Sequence, residues 1–140
     1  MVTVTGYTAG VFDMFHIGHL NLLTKARERC DSLIVGLTTD ELCEHFKGKT
    51  PVVPFEERAA ILRSLRVVDE VVPQVAMDRY AAWKARRFDV TFVGDDWQGS
   101  ELWAGYERTF AQVGVDVVYL PYTPHISSSI LRQTLHSRSA

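Results

Sequence analysis

The sequence predicts an α/β fold: a five-stranded parallel sheet with helices on both faces, in a single domain spanning residues 1–140. Five short strand-like runs alternate with helical patterns, the order that parallel strands joined by right-handed crossovers require. One run, SLIVGLT at 32–38, is almost continuously apolar, as expected of a strand covered on both sides. The residues with chemical character follow strands, at the carboxyl ends where open parallel sheets hold their ligands.

The first strand is expected over 2–8, and a bend through Thr8, Ala9 and Gly10 leads to Phe12, Asp13 and two histidines, His16 and His19. Leu20, Leu22, Leu23 and Ala26 recur at helical spacing, so a helix is expected over 18–29. The second strand, 32–38, hands over to a short helix at 39–45 capped by Thr39 or Asp40. After the loop FKGKTPVV, Pro54 starts a helix running to about residue 65. Its first turn holds Glu56 and Glu57, where acids complement the helix dipole. A third strand at 70–73 precedes a helix at 79–87, capped by Asp78 and basic at its C-terminal end. A fourth strand at 90–93 ends at Gly94. Ser100 caps the next helix, whose apolar face is Leu102, Tyr106, Phe110 and Val113 and whose stop is Gly114. The fifth strand is 115–120, and three serines open a last helix with Leu131 and Leu135 turned inward.

Composition narrows the function classes. Hydrophobic residues make up 46% and charged residues 23%, an ordinary globular balance. The net charge of −2 gives no support for long nucleic acid as a partner, since its binders usually carry a basic patch. No apolar run reaches the ~20 residues of a membrane span. The N-terminus lacks the basic-then-apolar order of a signal peptide, so a cytoplasmic location without a membrane partner is expected. Cys30 and Cys43 form no CxxC or Cys/His cluster and read as reduced, half-buried thiols.

The chemistry centres on residues 6–19, GYTAGVFDMFHIGH. Both histidines fall where a strand hands over to a helix N-terminus. The first-turn N–H groups there are unpaired and the dipole is positive, so anions collect. Gly18, between the histidines, lets a phosphate approach the backbone closely. At 93–99, VGDDWQG offers Asp95 and Asp96 as acceptors for ribose or base amino groups, or as loop-ordering groups, and Trp97 as a stacking face. Ser127, Ser128 and Ser129 supply hydroxyls and free N–H groups suited to seating phosphates.

Residues 8–19 resemble the HxGH nucleotidyltransferases, and most closely their cytidylyltransferase branch. FKGKTPVVPFEER at 46–58, LRVVDEVV at 65–72, VGDDWQG and PYTPHISSS at 121–129 extend the resemblance over nearly the whole chain. It implies a Rossmann-like fold with strand order 3-2-1-4-5. It also implies transfer of a nucleotide monophosphate from CTP to a small phosphorylated alcohol, glycerol 3-phosphate first, with release of pyrophosphate. On this resemblance His16, His19, Lys47 and Arg66 are catalytic. Thr8, Ala9, Gly10, Val11, Phe12, Gly18, Gly94, Asp95, Asp96, Tyr122 and Ile126 join the histidines and the three serines around the nucleotide. Asp13, Lys47, Lys49, Arg79 and Trp97 meet the acceptor. Mg²⁺ is expected to ride mainly on the phosphates, and a homodimer is implied.

Three positions depart from the family pattern. Tyr122 stands where the family has arginine, and tyrosine supplies no guanidinium. His125 stands for a glycine, and protonation would let it replace some of the lost charge. Val11 stands for a common threonine. The family also places a lysine near the helix after strand three, where Arg79 is the nearest cation. The departures leave the acceptor open. Two rival readings therefore stand beside the first: transfer to another acceptor or from another base, adenylyl transfer included, and a nucleotide-binding module that has lost catalysis.

Overall fold

The computed structural model describes residues 2–123 and 126–139. The chain runs β1 (Thr5–Gly10), α1 (Ile17–Arg27), β2 (Ser32–Thr38), α2 (Asp40–Lys47), α3 (Phe55–Arg63) and β3 (Glu70–Gln74). It continues through α4 (Arg79–Arg86), β4 (Val90–Gly94), α5 (Glu101–Ala111), β5 (Asp116–Leu120) and α6 (Ser128–Ser139). The five strands form one parallel sheet in the order β3-β2-β1-β4-β5. That is the architecture and order the resemblance implied. β1 lies at the centre, paired with β2 from Thr5 against Ser32 to Gly10 against Leu37, and with β4 at Gly6, Tyr7 and Thr8.

Alternation along the strands divides the interior into two layers. Leu33, Val35 and Leu37 join Leu23 and Ala26 of α1 and Ala59 and Leu62 of α3, all fully buried. Tyr7, Ile34 and Val72 join Phe88 and Phe110, with Tyr80, Trp83 and Tyr106 of α4 and α5 packed around them. Each fully buried Leu, Val or Phe contributes about 1.5–3 kcal/mol. In the second layer Tyr7 stacks on Phe88 with ring centroids 4.6 Å apart, and its hydroxyl crosses Gly36, where any Cβ would collide with it. Thr39, Asp78 and Ser100 cap α2, α4 and α5 through the amides of Leu42, Tyr80 and Trp103. Such caps stabilise by about 1 kcal/mol each.

Two expectations change. The first strand starts and ends later than 2–8. The Val4 amide donates to the Asp31 carboxylate, its carbonyl accepts the Asp31 amide, and pairing then continues to Gly10. The bend therefore follows Gly10 instead of passing through Thr8. Leu135 is 57% exposed, so it is not turned inward. The face of α6 that meets the rest of the fold carries Ser128 and Arg132 instead. Asp95–Trp97 form a 3₁₀ turn, where the aspartates were offered as loop-ordering groups. Cys30 and Cys43 are buried free thiols. Among the described residues, no helix is long and apolar enough to cross a membrane.

Candidate active site

The turn that leaves β1 is held in an unusual backbone conformation. Phe12 (φ 50°) and Met14 (φ 49°) both occupy the left-handed region, which costs a non-glycine residue on the order of 1–3 kcal/mol. Asp13 between them compensates. It is 2% exposed, and its carboxylate accepts the amides of Val52 (2.8 Å) and Val53 (2.9 Å) and the guanidinium of Arg132. Its carbonyl accepts the Ser128 hydroxyl at 2.6 Å. Burial alone would push Asp13 up, but the two amides and Arg132 outweigh it and hold the carboxyl below its usual range. Asp13, expected at the acceptor, thus has its carboxylate engaged inside the protein.

Arg58 braces the same region from below, at 1% exposure. Its Nε donates to the Val53 carbonyl (2.8 Å), and Nη1 donates to the carbonyls of Val11 (2.8 Å) and Thr38 (2.9 Å). Nη2 pairs with Asp40 at 2.6 Å. The ends of β1 and β2, the loop at 48–54, α3 and α6 therefore converge beneath one turn. Sequence reading assigned no role to Arg58 or Arg132. The signals were their phases, since Arg58 lies four residues before buried Leu62 and Arg132 lies four after Ser128.

His16 caps α1. Its Nδ1 accepts the Gly18 amide at 3.0 Å, while Nδ1 of His19 accepts the His16 amide at 3.3 Å, a reciprocal capping box. The rings stack with centroids 3.8 Å apart and 21° between planes. Because both Nδ1 atoms are acceptors, the neutral rings carry their protons on Nε2. Nε2 of His16 is buried and has no protein partner. Burial pushes His16 down; burial, then His16, push His19 down to about 4 against the pull of Asp13. Near neutral pH the site thus holds two uncharged imidazoles, with the Nε2–H of His16 unclaimed by the protein. Gly18 serves this arrangement directly, because a Cβ there would lie 2.8 Å from Cε1 of His16. The space expected for phosphate approach is filled by the His16 ring.

The other candidates divide by which end of the sheet they occupy. Ala9, Gly10, Val11 and Phe12 run from β1 into the histidine turn. Thr8 lies below them, buried, with its hydroxyl given to the Phe92 carbonyl. Gly94 begins the 3₁₀ turn, and the Asp96 carboxylate folds back over it, 2.7 Å from where a Cβ would be. Asp95, Asp96 and Trp97 are exposed on that turn, and Tyr122 is exposed after β5. Ile126 reaches towards Gly18. Ser127 accepts the Ile130 amide, Ser128 is committed to Asp13, and Ser129 is exposed. His125 lies outside the described residues.

Lys47 ends α2 and Lys49 follows in the loop that returns to Asp13; both are exposed. Arg79 opens α4 beyond the carboxyl end of β3. It donates to the Met77 carbonyl, lies 5.9 Å from the Trp103 ring, and belongs to none of the ion pairs among the described residues. Burial pushes its pKa down, against the opposing influence of Tyr7, Tyr106 and Asp78.

Arg66 lies apart from the other candidates. α3 starts beside the site and runs back down the sheet, so Arg66 stands before β3, at the amino-end edge. Five strand residues at ~3.3 Å each, roughly 17 Å, separate that edge from the histidine end of the same chain. Among the described residues, no three His, Cys, Asp or Glu side chains converge as a metal site. The donors and cations at the carboxyl ends of the strands suit phosphate oxygens, and a Mg²⁺ ion would be held chiefly through those.

Comparison with known proteins bears on this arrangement. The glycerol-3-phosphate cytidylyltransferase of Staphylococcus aureus (strain NCTC 8325 / PS 47) is 37% identical over 135 residues, covering 95% of this chain and 96% of that protein. The enzyme of the same name from Bacillus subtilis (strain 168) is 33% identical over 135 residues, 91% of this chain and 94% of that protein. A crystal structure of a lipopolysaccharide core biosynthesis protein from Thermoplasma volcanium GSS1 superposes with a TM-score of 0.73 at 23% identity. It covers 89% of this chain and 100% of that one, and so supports the fold. A family model described as cytidylyltransferase-like matches residues 7–134, from the third position of the observed first strand into the last helix, and the chain belongs to that family.

Proposed function

We propose that this protein is a nucleotidyltransferase that moves a cytidylyl group from CTP to glycerol 3-phosphate, giving CDP-glycerol and pyrophosphate. The observation that carries the reading is the stacked imidazole pair, whose Nδ1 atoms are engaged by the helix start and whose buried His16 Nε2–H has no protein partner and remains to donate. Relatives of matching length and named activity give the reaction its substrates.

In the proposed reaction an anionic oxygen of the acceptor phosphate forms a bond to the α-phosphorus in line with the bond that breaks. The electron pair leaves with pyrophosphate. No general base is required, because the attacking oxygen is already ionised. His16 and His19 donate to the α-phosphoryl oxygens as charge builds on them, which is positioning plus electrostatic stabilisation. Lys47 and the start of α6 receive the departing phosphates. Arg79, a cation set among Tyr7, Trp103 and Tyr106, takes the acceptor phosphate, with Lys49 and Trp97 at the rim. Mg²⁺ bound to the triphosphate would screen its charge. The working form is proposed to be a cytoplasmic homodimer, which sedimentation velocity would test.

The deciding experiment measures pyrophosphate release with CTP and with ATP against a panel of phosphorylated alcohols. CTP with glycerol 3-phosphate should be the fastest pair. A faster rate with ATP or with a sugar phosphate would replace the substrates, and binding of CTP without release by any acceptor would point to a module that has lost catalysis.

A further inference from the structure

The last helix is attached in an unexpected way. Ile130 and Leu135 are exposed and Leu131 is half-buried, so the apolar contribution of α6 is small. Its described grip on the fold is polar: the Ser128 hydroxyl on the Asp13 carbonyl, the Arg132 guanidinium on the Asp13 carboxylate, and just before the helix Thr123 accepting from Asn21. Ser128 and Arg132, four residues apart, share one helical face. Both therefore close on a single residue, Asp13. That residue lies between two left-handed positions and three residues before His16. The same carboxylate holds the Val52 and Val53 amides of the loop that carries Lys49.

We propose that Arg132 is a positioning residue: by pinning Asp13 from α6, it sets the serine-rich helix start, the 48–54 loop and the imidazole pair at one spacing. Without it, Asp13 keeps its two amides but α6 loses its charged anchor, and the seat for the departing phosphates is no longer indexed to the histidines. The catalytic half of this proposal rests on the nucleotidyl-transfer reading. The structural half, that α6 steadies the loop through Asp13, does not.

The test uses the full chain with Arg132→Met, Arg132→Lys, Asp13→Asn and the Asp13→Asn/Arg132→Met double variant. Arg132→Met should lower kcat at least tenfold while changing the acceptor KM less than threefold, and Arg132→Lys should restore part of the loss. In the Asp13→Asn background, removing Arg132 should cost less than threefold more, because its partner is already altered. Losses that multiply in the double variant would mean that Arg132 acts on substrate directly and would overturn the proposal, as would full turnover in Arg132→Met. Hydrogen exchange reads the structural half without substrate. Val52 and Val53 amides should exchange several-fold faster in Arg132→Met, and unchanged protection would overturn it. If the wild-type chain shows no transfer with CTP and glycerol 3-phosphate, the functional reading fails while the exchange experiment still decides this one.

Discussion

His16 uses its two nitrogens differently: Nδ1 closes the helix start and Nε2 is left to donate. The two roles separate by mutation. His16→Asn keeps a good cap but loses the distal N–H, whereas His16→Ala loses both. Both should lower kcat by a hundredfold or more, about 3 kcal/mol in the barrier, while only the alanine variant should also lose about 1 kcal/mol of stability to urea. Equal kinetics in wild type and His16→Asn would refute the donor role. His19 carries a pH signature. The unfolded side chain titrates near 6.5 and the folded one at about 4, so between these values the unfolded state binds more protons. Stability is therefore full above pH 6.5 and falls, by on the order of 3 kcal/mol, as pH drops through 4. Urea midpoints at pH 7 and pH 4.5 should show a decline that His19→Gln flattens. The spacing of these histidines was legible in the chain, and so was their seat at a helix start. The use of Gly18 was not, because sequence does not say which atoms fill the space a missing Cβ leaves. For Asp13 the motif identified an important residue, and only the geometry shows that Val52, Val53 and Arg132 occupy it.

Among the elements, α3 shows how a helix can serve a site without touching substrate. Arg58 in its first turn joins the ends of β1 and β2 and the returning loop through four hydrogen bonds, one of them to Asp40. Arg58→Met should destabilise the fold by about 3–5 kcal/mol, since it strands buried carbonyls and takes the buried cation from half-exposed Asp40. Glu57→Gln, exposed one residue earlier, should stay within about 0.5 kcal/mol. Equilibrium urea unfolding of the two variants makes the comparison, and a mild Arg58→Met would remove the bracing role. Most elements were readable because caps and strand runs are local: Thr39, Asp78 and Ser100 act where they were expected. The placing of Arg66 and the docking of α6 are nonlocal and were not legible. The direction in which α3 returns decides which end of the sheet receives Arg66, and α6 keeps Leu131 half-buried but adds polar contacts to Asp13 that no apolar period announces.

At the scale of the molecule, the cations, imidazoles and helix starts gather at the carboxyl ends of the strands, so a triphosphate should bind the folded chain and not the unfolded one. CTP at a hundred times its Kd should add about 2.7 kcal/mol and raise Tm by several degrees, with ATP at equal concentration giving a smaller rise; scanning calorimetry measures both. No shift with CTP would remove the nucleotide from the proposal. The parallel sheet was legible from alternation and apolar runs, but the strand order was not written in the residues and came through the resemblance. That order has a further consequence. Because β1 lies between β2 and β4, the first strand to leave the ribosome gains its second neighbour only after the third and fourth have been made. Until then a nascent chain displays one bare flank of what will become the middle of the sheet, an open template for pairing with other chains. Synthesis arrested near residue 76 should therefore yield a chaperone-bound, aggregation-prone product, although three strands and three helices are already in hand.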